Sequence, residues 1–204
     1  MRKKVVKAMA YHKQQQLDED ETSGNSHHVA ANIAMFFVAL GLAFFVRAYV
    51  VEPFNVPTGS MEATIMPGDL LLGEKLSMRF GSPLEQGDIV TFTNNDATSE
   101  HGLLVKRVIA TEGQAVDLID GQVVVDGVVL DEPYAIGASY PLAATAPSVH
   151  LEYPFVVPEG CIWVMGDNRQ NSADSRYFGP VGTDQVTSKP FVCYWPLDHA
   201  GLIG

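Results

Sequence analysis

The chain has 204 residues, 47% of them hydrophobic, and a formal net charge of −11 at pH 7. That length suits one domain with appendages, and the apolar content supplies a sizeable core. The acidic balance argues against a nucleic-acid partner, because phosphate contacts need clustered Lys and Arg.

Residues 1–28 are polar and without hydrophobic period, which predicts a disordered tail. Their basic residues are Arg2, Lys3, Lys4, Lys7 and Lys13; their acids are Asp18, Glu19, Asp20 and Glu21. From Val29 to Val46 the only strongly polar residue is Asn32. Extended to Val51, the segment makes about 34 Å of helix at about 1.5 Å per residue. That length crosses a hydrocarbon core of about 30 Å, and predicts a transmembrane helix over 29–51. Arg47, near its far end, can snorkel to the interface. Two other readings stand beside this one. Val46-Arg47-Ala48 has the small-residue pattern of a cleaved signal peptide, although the apolar run exceeds the roughly 7–15 residues of such a region. The other is a buried helix of a soluble protein. The basic tail favours a cytoplasmic N-terminus, although the acidic run lies closer to the span.

From Glu52 onward the chain reads as β. Pro53, Pro57 and Pro67 forbid a long helix at the start. Leu70 to Leu76 follows the turn signal Pro67-Gly68-Asp69, and Ile89 to Thr93 follows Gly87-Asp88. Leu103 to Ala110 is the next predicted strand. Val116 to Ile119, Gln122 to Val125 and Val128 to Leu130 are separated by Asp120-Gly121 and Asp126-Gly127, which are strong hairpin signals. Residues 131–155 have no clear period and read as a loop or lid. Strands resume at Phe155 to Val157, Cys161 to Met165 and Thr187 to Tyr194. The class is therefore mainly β and antiparallel. A catalytic domain over 52–204 carries a smaller β-hairpin subdomain at about 112–155.

Cys161 and Cys193 each lie in an apolar run, as two buried thiols or as a disulfide in an oxidising compartment. The six histidines show no metal-ligand spacing, so no metal is expected.

Ser60 lies in Pro57-Thr58-Gly59-Ser60-Met61. A serine hydroxyl is a poor nucleophile until a base takes its proton. Lys106 is the candidate base. Strand alternation puts it between Leu104 and Val108 on one face, with Val105, Arg107 and Ile109 opposite. Apolar cover disfavours the ammonium and lowers the pKa, as a lysine base requires. The plain alternatives are a turn serine and a strand lysine that reaches solvent. The Ser60 N–H and the Thr58 hydroxyl together suit a tetrahedral oxyanion. A third segment, Gly166 to Gly179, packs short polar side chains at fixed offsets behind the apolar Ile162 to Met165.

These segments resemble the boxes of the type I signal peptidase (leader peptidase) family, membrane-anchored Ser/Lys serine proteases. The likeness covers roughly residues 45–200. Ser60-Met61 resembles the nucleophile box and Gly87-Asp88-Ile89-Val90 the following strand. Lys106 to Ile109 resembles the base box, and Gly166 to Gly179 the last and most specific one. The resemblance implies that Ser60 is the nucleophile and Lys106 the general base. It implies an oxyanion-hole role for Thr58 and a lysine-orienting role for Ser172. It makes Asp174 and Arg176 a supporting ion pair, and Asp167 a partner for Arg107. Ala63 departs from the family's usual proline, and Gln114 from a common Gly-Asp pair.

A protease tethered so close to a span meets signal peptides, whose apolar region ends at the bilayer surface just before a small-residue cleavage site. Phe54, Met61, Ile65 and Met66 read either as an apolar rim dipping into lipid or as core. The expected partners are preprotein signal peptides and membrane lipid, with no cofactor. The expected location is the cytoplasmic membrane, crossed once, with the catalytic domain outside. The rival functions are a self-cleaving Ser/Lys regulator and a catalytically silent anchored β module.

Overall fold

The computed structural model describes residues 29, 31–93, 102–142 and 149–203. The predicted tail over 1–28 lies outside the described residues. The chain divides into two units between Arg47 and Ala48.

Helix α1 (Ala31–Tyr49) supplies nearly all of the described part of the first unit, ends just past the boundary, and is long and apolar enough to cross a membrane. Its large side chains point outward, as with Val38 and Phe44, which are 71% and 72% exposed. It has no polar face to offer to water.

The second unit holds the strands. In chain order they are β1 (Val51–Asn55), β2 (Leu70–Glu74), β3 (Ile89–Thr93), β4 (Leu103–Thr111), β5 (Ala115–Ile119), β6 (Gln122–Val125), β7 (Val128–Val129), β8 (Phe155–Val156), β9 (Cys161–Met165), β10 (Val181–Gly182), β11 (Val186–Trp195) and β12 (Gly201–Leu202). Two single-turn helices, α2 (Leu76–Arg79) and α3 (Ser175–Phe178), interrupt them. The larger sheet is eight-stranded, ordered β1-β2-β11-β3-β4-β9-β10, with β12 paired to β11. The smaller is four-stranded, ordered β7-β6-β5-β8. Every pairing of these strands is antiparallel.

The small sheet follows from its turns. Asp120 and Gly121 have φ of 52° and 81°, and Asp126 and Gly127 have 52° and 80°. Two successive positive φ values are what a tight type I′ hairpin needs, and Asp-Gly supplies them cheaply. Gln114 holds the approach to this sheet. Its carbonyl oxygen accepts the Thr111 N–H at 2.9 Å, and its amide donates to Asp126 at 3.1 Å.

β11 belongs to both halves of the large sheet. Val186 and Ser188 pair with β3, whereas Lys189 to Trp195 pair with β2. The registers slip around Pro190, which has no N–H to give a ladder. Through β11 the β1–β2 pair and the β3–β4 pair join one sheet.

Three apolar clusters fill the interior. One lies under the small sheet around Trp163, Val116 and Val123. A second gathers Met61, Ile65, Leu71, Ile89, Val105 and Cys193. The third joins Val90, Phe92, Val108 and Val164. Met61 and Ile65 are each 1% exposed, so they are core residues and not a rim. Their place in the sheet's interior, rather than their spacing, decides this. Phe54 packs partly on the same cluster. Cys161 and Cys193 are free thiols in different clusters.

Candidate active site

The segment carrying Ser60 is a loop closed at its base. Val56 N–H donates to the Asp69 carbonyl at 3.0 Å, and Gly68 N–H donates to the Val56 carbonyl at 2.8 Å. Within the loop, Met61 and Ile65 plug into the core, and Ile65 N–H donates to the Met61 carbonyl at 2.8 Å. The peptide bond between Glu62 and Ala63 is cis. Two buried anchors thus fix the backbone just beyond the serine.

Lys106 lies on β4 opposite Val90 of β3. Residues 105–110 are all buried, and three apolar clusters share this strand: Val105 belongs to the second, Val108 to the third, and Ile109 and Ala110 to the first. Lys106 is 2% exposed and Ser60 7%. Lys106 Nζ reaches Ser60 Oγ at 2.6 Å and donates to the Val105 carbonyl at 3.0 Å. Burial is the main influence on this amine and lowers its pKa to about 8; Asp174 and Asp167 oppose the shift, and Arg176 adds to it. A lysine in this setting becomes neutral in the mildly alkaline range and then accepts a proton.

The loop after β9 clasps this pair. Asn168 N–H donates to the Ser60 carbonyl at 3.1 Å. A side chain on Gly166 would collide with the Ser60 carbonyl oxygen and with Ser172 Oγ, so only glycine permits this approach. Ser172 Oγ is buried and makes no hydrogen bond. The exposed Thr58 stands at the rim beside Ser60.

Two buried ion pairs hold the loop. Arg107 Nε and Nη2 donate to the two Asp167 oxygens at 2.9 and 2.8 Å. Thr64 Oγ1 donates to the same carboxylate at 2.5 Å, tying in the loop that carries Ser60. The Arg107 guanidinium lies 3.9 Å from the centre of the Tyr134 ring. Arg176 Nε and Nη2 donate to the two Asp174 oxygens at 2.9 and 2.8 Å, and Gly166 N–H donates to Asp174 at 3.1 Å. Such pairs keep their geometry because separating them would leave an unpaired charge in a dry interior.

Several residues here were not anticipated from the sequence. Arg169 donates through both terminal nitrogens to Glu132, at 2.8 and 2.6 Å, and to Ser139 Oγ at 2.7 Å. Ile136 N–H donates to the Asp167 carbonyl at 2.8 Å, and Arg169 N–H to the Ile136 carbonyl at 2.9 Å. The first part of segment 131–155 is therefore a strap docked on the loop; residues 143–148 lie outside the described residues. Glu132 has no fixed offset to anything in the 166–176 motif, so no local pattern marks it.

An apolar groove of about 250 Å³ opens beside Ser60 and Thr58. Phe54, Val56, Met61, Leu104 and Val105 contribute to its walls. Among the described residues, no group of three or more His, Cys, Asp or Glu is arranged to hold a metal ion.

A buried hydroxyl and lysine amine paired beside an apolar groove form the arrangement of a serine-type hydrolase. Residues 29–195 match the model of a family described as signal peptidase, peptidase S26. A probable signal peptidase I-2 of Synechocystis sp. is 37% identical over 168 residues, which cover 81% of this chain and 72% of that protein. A probable signal peptidase I-1 of the same organism is 35% identical over 181 residues, covering 86% of this chain and 87% of the relative. A solved signal peptidase I from Enterococcus faecalis shares 30% identity over 53% of this chain and 97% of its own, with a TM-score of 0.41. The chain belongs to the signal peptidase (peptidase S26) family and is a serine peptidase.

Proposed function

We propose that this protein is a membrane-anchored endopeptidase that removes signal peptides from secreted preproteins after small residues, using Ser60 and Lys106. The observation that carries this reading is the 2.6 Å approach of Lys106 Nζ to Ser60 Oγ under apolar cover. The curated relatives are signal peptidases, which supports preproteins as the substrate class.

In this scheme neutral Lys106 takes the Ser60 proton as Oγ bonds to the scissile carbonyl carbon. The developing oxyanion is held by the Ser60 N–H and the Thr58 hydroxyl. Lysine-bound ammonium then gives its proton to the departing amine as the C–N bond breaks. Neutral again, Lys106 takes a proton from water; the resulting hydroxide attacks the ester, and the proton returns to Ser60 Oγ. Ser172 helps aim the amine when substrate closes the site. The Arg107–Asp167 and Arg176–Asp174 pairs keep the loop against Ser60.

Residues 29–51 are the single span, with the 1–28 tail cytoplasmic and the 52–204 domain on the outer face of the cytoplasmic membrane. Support for this comes from the length and outward-facing apolar side chains of α1. Chain connectivity alone keeps Ser60 near the bilayer, where lipid and the ends of signal peptides meet.

The test is processing of a preprotein by the full chain in detergent. Ser60→Ala and Lys106→Ala are each expected to lose about 10⁴-fold in kcat/KM. Full activity in either variant overturns the assignment.

A further inference from the structure

The loop at Ser60 borders two unlike features. One is the apolar groove walled by Phe54, Leu104 and Val105. The other is the carboxylate of Glu62, which is not among the residues that line that groove. Its carboxyl carbon and Oε1 sit so close to Gly59 that a Cβ there would lie 2.7 Å from each. The carboxylate therefore rests on the backbone immediately before Ser60. Asn168 Nδ2 holds it by donating to Oε2 at 3.0 Å, and the same residue's N–H holds the Ser60 carbonyl. Among the described residues, no cation lies within ion-pair distance of Glu62. A fixed carboxylate with one hydrogen bond has lone pairs left to accept others.

On the proposed reading the acyl half of a substrate takes the apolar groove, where small apolar side chains lose water. We infer that the departing half leaves past the Glu62 carboxylate, and that Glu62 is a specificity-determining residue for that side of the reaction: it favours basic and disfavours acidic residues just after the cleaved bond. The inference rests on the proposed endopeptidase reading. Glu62 is partly exposed, so solvent screens the effect and salt weakens it.

The experiment uses the full chain in detergent and three otherwise identical signal-peptide substrates. The first two residues after the cleavage point are both Ala, both Lys or both Glu. For the natural chain, kcat/KM is expected to fall in the order Lys, Ala, Glu, by about fivefold at each step at low salt. Glu62→Gln keeps an acceptor for Asn168 and removes only the charge, so the spread should collapse. Glu62→Lys should reverse it. Equal rates on all three substrates with the natural chain overturn the inference. So does a Glu62→Gln variant that slows all three by one common factor, since that is the mark of a structural role. If the natural chain cuts none of the three, the endopeptidase reading itself fails.

Discussion

Lys106 Nζ lies 2.6 Å from Ser60 Oγ although 46 positions separate them along the chain. Burial has lowered the lysine pKa to about 8. In the proposed mechanism only the neutral amine takes the serine proton, so kcat/KM should rise with pH and reach half its plateau near that value. At pH 7 about one molecule in ten carries the competent amine. A pH profile of peptide cleavage checks this, and a flat profile between about pH 6 and 10 contradicts it.

Gly166 leaves room for Ser172 and for the Ser60 carbonyl. Gly166→Ala pushes against backbone on one side, which cannot swing away. Ser60 shifts, and if it is the nucleophile as proposed, misplacement by about 1 Å costs about a hundredfold in rate. Gly201→Ala is the matched control, because nothing lies within 4 Å of a Cβ built there. Steady-state kinetics of the two variants should diverge sharply; similar values would show that the contact at Gly166 is unimportant.

Asp167→Asn leaves the buried Arg107 without its carboxylate. Breaking such a pair from one side costs about 3–5 kcal/mol. For a domain of this size that lowers Tm by about 10 °C. Replacing both partners, as Arg107→Met with Asp167→Asn, should cost less than the sum of the single changes. Calorimetry of the four proteins measures the coupling, and simple additivity would mean the pair contributes nothing.

The strap is tied by Glu132 to Arg169, whose side chains are 9% and 1% exposed. Glu132→Gln should free it locally. Amides of Ile136 and Arg169 should then exchange faster with solvent, while the β5–β6 hairpin keeps its protection. A tenfold loss of kcat, about 1.4 kcal/mol, would accompany the loosening. Unchanged exchange at Ile136 would show that its bond to the Asp167 carbonyl suffices without the ion pair.

The β class and much of its segmentation were readable from residues. Ile89–Thr93, Gln122–Val125 and Cys161–Met165 have the same bounds in sequence and structure. Each is a short apolar run cut off by Gly or Asp, and those signals act within a few residues. Leu103 to Ala110 was equally clear, but its burial on both faces was not. Burial depends on β3, β9 and the layers around them, which come from distant parts of the chain.

A turn serine and a strand lysine are ordinary by themselves; Ser60 and Lys106 stood out only together with the polar run from Gly166, which is unusual behind so apolar a strand, and through the resemblance of all these segments to one family. Their meeting is another matter. A strand period says which way Lys106 points, and cannot say that the loop at Ser60 folds over it. Met61 and Ile65 had the same apolar character whether they faced lipid or core; only packing against Leu71, Ile89, Val105 and Cys193, from four separate strands, put them inside. Glu132 and Glu62 had no pattern at all, since an ion pair or a hydrogen bond across the fold obeys distance in space rather than offset in sequence. Local chemistry settled the pieces, and long-range packing, which no short window contains, settled which of them touch.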